Sequence, residues 1–340
     1  MKDPITIKDI ARELNISPST VSRALKNNPQ ISKATIEQVQ ALAERLDYRP
    51  NTIAQSLRQS RTFTIGVIVP EIAHHFFADA ISGIEDIAYK AGYNVIVCQS
   101  NESYEREVVN TKTLLSSKVD GILVSVSKQT SQTEHFNVLK RREVPLVFFD
   151  RVCEEIEASK VIFDDYEAAF ATVEHLIEMG YKRIAHIGGP APLLLSQLRH
   201  SGYVAALKKH GLPVVEEWTI QQGFNIEDGK EAALQLLADP ANRPDAIFGV
   251  NDLVAIGAML EIKKAGLHIP NEIGVAGFCD EPIAEVIEPA LTSFVQPSFE
   301  IGRTAARLLI NQIESPDNFE PKTELISDHL KVRASTLRNR

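Results

Sequence analysis

Residues 17–27 read SPSTVSRALKN. Four hydroxyl side chains (Ser17, Ser19, Thr20, Ser22) and two cations (Arg23, Lys26) share this stretch with a few small apolar residues. At about 100° per residue on a helix, Val21, Ala24 and Leu25 gather on one arc. Pro18, Ser19, Ser22, Arg23 and Lys26 then face the other way. Short side chains let a helix come close to a duplex, and an arginine among them can pair with guanine through two hydrogen bonds. Thr20, Ser22 and Lys26 suit phosphate oxygens, which fix position without carrying sequence information. The chemistry on offer is DNA recognition. An ordinary capped helix in a small bundle would show the same arc, so the stretch has to be weighed with its surroundings.

A second set of polar residues closes apolar runs further along the chain: Ser100, Asn101, Ser125, Asp150, Arg151, Asn251 and Asp252. Asp150 and Asn251 could hydrogen-bond ligand hydroxyls. Asp252 opens DLVAIGAM and equally suits a helix cap. Signals for catalysis are weak. HIGGP at 186–190 is glycine-rich but fits neither a dinucleotide nor a Walker pattern. The pair His74-His75 has no third ligand at metal spacing, and no GxSxG elbow occurs. Cys98, Cys153 and Cys279 are far apart and read as free thiols. The expectation is a non-enzyme without metal or cofactor.

The elements that must position these residues fall into two styles. Thr6 with Asp9 makes a capping box for a first helix, with Ile7, Ile10, Ala11 and Leu14 on one face. Asn15-Ile16 turns the chain. Ser17 caps a second helix with Pro18 at its first position. A third helix follows Ser32, carries Ile36, Val39, Ala43 and Leu46 inward, and stops before Pro50. Asn51 starts a short fourth helical segment, TIAQSLR. From Phe63 the apolar runs FTIGVIV, YNVIVC, GILVSV and PLVFF alternate with amphipathic segments, and KVIF, RIAHIGG, DAIFGV and IGVAGF continue the series. Strands alternating with helices imply parallel sheets built from βαβ units. Two doubly wound sets, each of four or five strands, would leave a cleft at the carboxyl ends of the strands.

Charge supports the division. Residues 1–62 hold ten Lys and Arg against six Asp and Glu, a surplus of +4, so the remainder carries −13 of the chain's net −9. A basic head on an acidic body suggests that only the head meets a polyanion. The 340 residues are enough for two or three domains, and 44% hydrophobic with 24% charged residues is ordinary for a globular protein. No apolar run is long enough to span a membrane and the first residues have no signal-peptide core, so a cytoplasmic protein is expected.

The segment ITIKDIARELNISPSTVSRALKNNPQISKATIEQVQALAERLDYRPNTIAQSL resembles the head of the lactose-repressor (LacI) family of bacterial transcription regulators. The likeness continues through GVIVPEIAHHFFADAISGIEDIA, VDGILVS, PLVFFDR, FGVNDLVAIGAM and GLHIPNEIGVAGF, in the family's order and over nearly the whole chain. The resemblance implies an all-α helix-turn-helix head and an α/β body of two doubly wound parallel-sheet lobes, like periplasmic binding proteins of type I. It implies a head over 1–50 and a hinge over 51–62. One lobe would span 63–163 with 293–324, and the other 164–292 with 325–340. It further implies a homodimer on a palindromic double-stranded operator, and a small effector, a carbohydrate, in the cleft. Pro18, Ser19 and Arg23 match the family's base-reading positions; Pro18 lacks a side-chain donor, which shifts reading to Ser19, Arg23 and Thr20. Thr6, Ser17 and Ser32 at the helix starts, with Ser22 and Lys26, complete the head's contacts. Leu57 matches the leucine that wedges into the minor groove, flanked by Asn51, Ala54 and Arg58. For the cleft, the resemblance adds His75, Phe76, Arg199, Phe278 and Gln296. Many members carry an acidic residue after GF; here Cys279 stands there, followed by Asp280. Either Asp280 substitutes, or the effector is not a simple sugar held in the usual way. The chain ends without leucine heptads, so a dimer is expected. The rival reading is a soluble sugar-binding receptor that does not bind DNA specifically.

Overall fold

The structure is a computed structural model that describes residues 5–48 and 61–338. It divides into two compact units, 1–62 and 63–340. The contacts expected at Asn51, Ala54, Leu57 and Arg58 lie outside the described residues.

The head is three helices, α1 (Ile7–Glu13), α2 (Pro18–Leu25) and α3 (Lys33–Arg45). Each begins where its sequence supplies a cap. The Thr6 N–H and hydroxyl both donate to Asp9 Oδ2, at 2.9 and 2.6 Å. Ser17 Oγ accepts from Thr20 N at 3.1 Å, and Ser32 Oγ from Thr35 N at 3.2 Å. Such caps satisfy amide groups that the helix itself leaves without partners, at about 1 kcal/mol each. Asn15 and Asn27 take the left-handed conformation (φ 52° at both), which asparagine tolerates better than most residues. Ile10, Ala11, Val21, Ala24, Val39, Leu42 and Ala43 form the small core. Leu42 replaces the expected Ile36 and Leu46 among the fully buried positions of α3; those two pack at the core's margin.

The body holds two sheets. In the first, β1 (Thr64–Val69), β2 (Asn94–Gln99), β3 (Gly121–Val124), β4 (Leu146–Phe149), β5 (Ser159–Phe163) and β11 (Thr323–Ile326) lie in the order β2-β1-β3-β4-β5-β11. In the second, β6 (Ile184–Gly188), β7 (Thr219–Gln221), β8 (Ala246–Gly249), β9 (Gly274–Cys279), β10 (Thr292–Val295) and β12 (Leu330–Lys331) lie in the order β7-β6-β8-β9-β10-β12. The two orders are the same doubly wound pattern. All pairings are parallel except that of β12 with β10. Each sheet therefore has six strands rather than four or five. The last strand of each is short and edge-placed, so it lacks the fully apolar run that marks a central strand.

The chain crosses between sheets three times, after β5, after β10 and after β11. Because β10 belongs to the second sheet and β11 to the first, the expected crossovers at 293 and 325 move a few residues along the chain. Of the body's helices, α4 (His75–Lys90), α5 (Tyr104–Ser116), α6 (Glu134–Arg141) and α12 (Ser298–Glu314) flank the first sheet. Around the second stand α7 (Asp165–Glu178), α8 (Leu194–Lys209), α9 (Ile226–Leu237) and α10 (Asp252–Lys264), with the short α11 (Pro282–Val286) after β9. A Cβ on Gly83 of α4 would run into the Phe299 carbonyl of α12, and one on Gly302 into the Ala80 carbonyl. These glycines let α12 lie directly on α4, so the returning chain becomes part of the first lobe.

Candidate functional site

In the head, Val21 and Ala24 are fully buried, while Pro18, Ser19, Arg23 and Lys26 are exposed and Ser22 is half-buried. The helix rotation is thus the one its apolar arc demands. Ser17 Oγ also lies 2.7 Å from Ser19 Oγ and 2.8 Å from Thr20 Oγ1. These hydroxyls form one cluster at the N-terminus of α2, where amide groups and the helix dipole favour an anion. Arg23 has no carboxylate partner among the described residues, and its guanidinium is left for an outside acceptor.

In the body, the cleft between the lobes narrows to an inner chamber that opens to solvent. Its walls come from the carboxyl ends of β1, β4, β6, β7, β8, β9 and β10, the place where doubly wound sheets bind ligands. Of the expected residues, Phe76, Asp150, Arg151, Arg199, Asn251, Cys279 and Gln296 line it. The chamber also takes in His74, Phe77, Leu195 and Phe224, which sequence reasoning passed over.

Both arginines of the chamber have carboxylate partners. Arg199, 3% exposed, donates to Asp165 at 2.7 Å and to the Val250 carbonyl at 2.6 Å. Burial opposes its charge, but Asp165, Cys279 and Asp150 together offset this and the guanidinium pKa is raised. Arg151 donates to both oxygens of Glu102, at 2.8 and 3.0 Å. Its guanidinium carbon stands 4.7 Å from the Phe224 ring centre and 5.5 Å from that of Phe77. Burial pushes Asp150 up to about 6. Its oxygens lie 3.4 Å from donors on Ser125 and Gln296, and Cys279 Sγ is 3.2 Å from Gln296 Oε1. Cys279 and Asp150 both hold positive φ, 100° and 60°. Such backbone costs on the order of 1–3 kcal/mol per residue and gathers at ligand sites. Burial lowers His74 to about 4, and its ring faces Glu281 at 3.6 Å.

Six expected cleft residues are placed elsewhere. His75 is exposed and, with Asp280, lines a separate pocket beside the chamber. Asp280 does not substitute for the missing acid: its carboxylate is held by Lys331 at 2.6 Å and Arg333 at 2.7 Å. Phe278 is fully buried, with the Arg199 guanidinium 3.6 Å from its ring centre and Phe163 and Phe294 around it, so its face is taken. Ser100 and Ser125 are buried behind the wall and Asn101 is exposed. Asn251, not Asp252, caps α10, accepting from Val254 N at 2.9 Å while donating to the Phe224 carbonyl at 2.8 Å. Asp252 instead accepts from Glu281 N and Ser293 Oγ, at 2.7 and 2.6 Å. Phe224 could have been suspected as a large apolar residue in a polar loop, QQGFNIEDG. His74 had no signal that separated it from His75.

A basic three-helix head with an open reading face, and a two-lobed body with a cleft chamber of aromatic and polar side chains, together define a DNA-binding regulator that responds to a small molecule. Residues 6–51 match the family described as bacterial regulatory proteins, lacI family, and residues 173–336 a periplasmic binding protein-like domain. Catabolite control protein A of Priestia megaterium is 36% identical over 90% of this chain and 91% of its own length. The transcriptional repressor CytR of Escherichia coli strain K12 is 33% identical over 97% and 96%. Among solved structures, the lac repressor dimer bound to operator and the anti-inducer ONPF superposes with a TM-score of 0.87, at 25% identity over 98% of this chain and 100% of that one. A complex of the regulator CelR with cellobiose gives 0.75, at 29% identity over 97% and 99%. The chain belongs to the lacI family of transcription regulators, with a helix-turn-helix that binds DNA and a periplasmic-binding-protein-like domain that binds an effector. No helix among the described residues is long and apolar enough to cross a membrane.

Proposed function

We propose that this chain is a cytoplasmic repressor that acts as a homodimer on a palindromic operator, without catalysing a reaction, and whose hold on DNA is set by a neutral carbohydrate in the cleft. The observation that carries the effector class is the pairing inside the chamber. Arg199 is matched by Asp165 and Arg151 by Glu102, so an added anionic group would meet no free cation. What the chamber offers is the rings of Phe76, Phe77 and Phe224 and the polar groups of Asp150, Asn251 and Gln296. Apolar walls with a few placed polar groups suit a sugar's faces and hydroxyls. The solved CelR complex holds cellobiose, in line with this class.

In the head, Arg23 and Ser19 read bases, with Pro18 contributing shape and Thr20, Ser22 and Lys26 holding phosphates. Thr6, Ser17 and Ser32 cap the helices whose N-termini face the backbone. Residues 51–58 place Leu57 in the minor groove, where a wedge costs about a few kcal/mol of unstacking. An effector that prefers one lobe arrangement shifts the head's affinity by that preference alone. Selection of bound duplexes from a random pool, with and without a sugar panel, tests this. A palindromic consensus whose recovery changes with one sugar is expected. Absence of any consensus would leave the rival reading, a sugar receptor without specific DNA binding.

A further inference from the structure

Gln296 follows β10, where the chain leaves the second sheet for the first lobe, and it is 5% exposed. Strand pairing sets what lies beside it. Val295 is registered against Cys279 of β9, and the Gln296 N–H donates to the Cys279 carbonyl at 3.4 Å. The side chains meet as well. Cys279 Sγ lies 3.2 Å from Gln296 Oε1, and Gln296 Nε2 lies 3.4 Å from Asp150 Oδ1. Asp150 follows β4 in the first sheet, so the row Cys279, Gln296, Asp150 runs from one lobe to the other.

The two ends of the row differ in kind. Burial pushes the Cys279 thiol well above its ordinary range, so it keeps its hydrogen and can donate. Asp150, pushed up to about 6, is ionised at pH 7 and can only accept. Between a donor and an acceptor an amide has one fitting orientation, with its oxygen toward the thiol and its NH2 toward the carboxylate. An acid at position 279 would call for the reverse, and the amide oxygen would then face a carboxylate.

We infer that Gln296 is a positioning residue for Asp150, and that Cys279, through its S–H, sets which way the Gln296 amide faces. Asp150 is thereby kept in the chamber as a hydrogen-bond acceptor for a hydroxyl of the effector, a role that rests on the carbohydrate reading above. The row itself is tested without ligand, because Asp150 titrates. The other charges that act on Asp150 are Arg151, Asp165 and Arg199, and the variants below leave all three in place.

Carbon-13 NMR of the full chain, labelled at the aspartate carboxyls, follows Asp150 as the signal lost in Asp150→Asn. Cys279→Ala and Gln296→Ala should each raise the Asp150 midpoint by about 0.5 pH unit or more, because a lost donor favours the neutral carboxyl. Cys279→Ser, which keeps a donor, should stay within about 0.2 pH unit of the parent. The double variant Cys279→Ala with Gln296→Ala should match Gln296→Ala alone. Unmoved signals from the remaining aspartates show that each variant is folded. If Cys279→Ala leaves the midpoint in place, or if the two effects add, Cys279 does not act through Gln296. If Gln296→Ala leaves it in place, Gln296 does not hold Asp150. Either result overturns the inference and leaves the carbohydrate reading, which sugar titrations decide, intact.

Discussion

The guanidinium of Arg151 rests on the ring of Phe224, 4.7 Å from its centre, although the two residues belong to different lobes. Arg151 follows β4 in the first sheet and Phe224 follows β7 in the second. Cation–π contact of this kind is a direct bond between the halves of the cleft. A buried cation over an aromatic contributes about 0.5–2 kcal/mol. Phe224→Leu should therefore shift the balance toward open lobes by about 5-fold, at 1.4 kcal/mol per tenfold. Small-angle scattering of the unliganded protein should show a larger radius of gyration; an unchanged curve would show that Phe224 does not hold the lobes.

Arg199 and Asp165 form a buried ion pair at the cleft, with side chains 3% and 6% exposed. Removing one partner leaves a lone buried charge. Arg199→Met should lower stability by about 3–5 kcal/mol, and adding Asp165→Leu should restore most of it. Urea denaturation of the two variants measures this. A single-variant loss below about 1 kcal/mol would mean that the site admits enough water to solvate the carboxylate.

His186 is fully buried, stacked on Phe248 and Tyr203, and its Nδ1 is 3.0 Å from the Phe248 carbonyl. Burial lowers its pKa from 6.5 to about 3. As the pH falls below 6.5 the unfolded chain takes up a proton that the folded chain refuses. Its stabilising contribution is therefore complete above pH 6.5 and is lost as the pH drops toward 3, at up to about 1.4 kcal/mol per pH unit. His74 titrates in the same direction, with a pKa lowered to about 4. In His186→Asn, which keeps a donor near the Nδ1 position, the thermal midpoint should fall less steeply between pH 6.5 and 4. Parallel curves would mean that His186 is charged in the fold.

Arg23 stands exposed on α2 beside the buried Val21 and Ala24. Arg23→Ala should weaken operator binding by about 1–3 kcal/mol and relax preference at one base pair, while Lys26→Ala weakens all sequences alike. Mobility-shift titrations on operator and scrambled duplex compare them. Equal losses on both duplexes for Arg23→Ala would assign it to phosphate.

Leu57 makes a parallel case in the hinge segment. Leu57→Ala should lower operator affinity far more than affinity for scrambled DNA, because only a specific complex gains from unstacking the central step. The same titrations decide, and equal losses would remove the wedge.

The head was almost fully legible from sequence. Thr6, Ser17 and Ser32 announce helix starts because a side-chain oxygen within three residues of a bare amide is a local matter. Val21 and Ala24 are buried as their arc requires. In the body, the alternation of apolar runs with helical segments announced the doubly wound sheets, because strands covered on both faces must be apolar along their length. The family likeness supplied much of the candidate chamber, Phe76, Arg199 and Gln296 among it, without saying which of those side chains have a free face.

What the sequence by itself determined is local: caps, helix faces, strand runs and the contrast between a basic head and an acidic body. The tertiary structure alone decided which residues meet. His74 enters the chamber and His75 does not, because the packing of α4 on α12 sets the helix rotation at its first turn. Phe278 is withdrawn because Arg199, 79 positions earlier in the chain, lies across its ring. Asp280 is spent on Lys331 and Arg333, which return only with the last strand. Pairings of this kind depend on through-space electrostatics and on the shared volume of a packed interior, and neither leaves a mark in the order of residues along the chain.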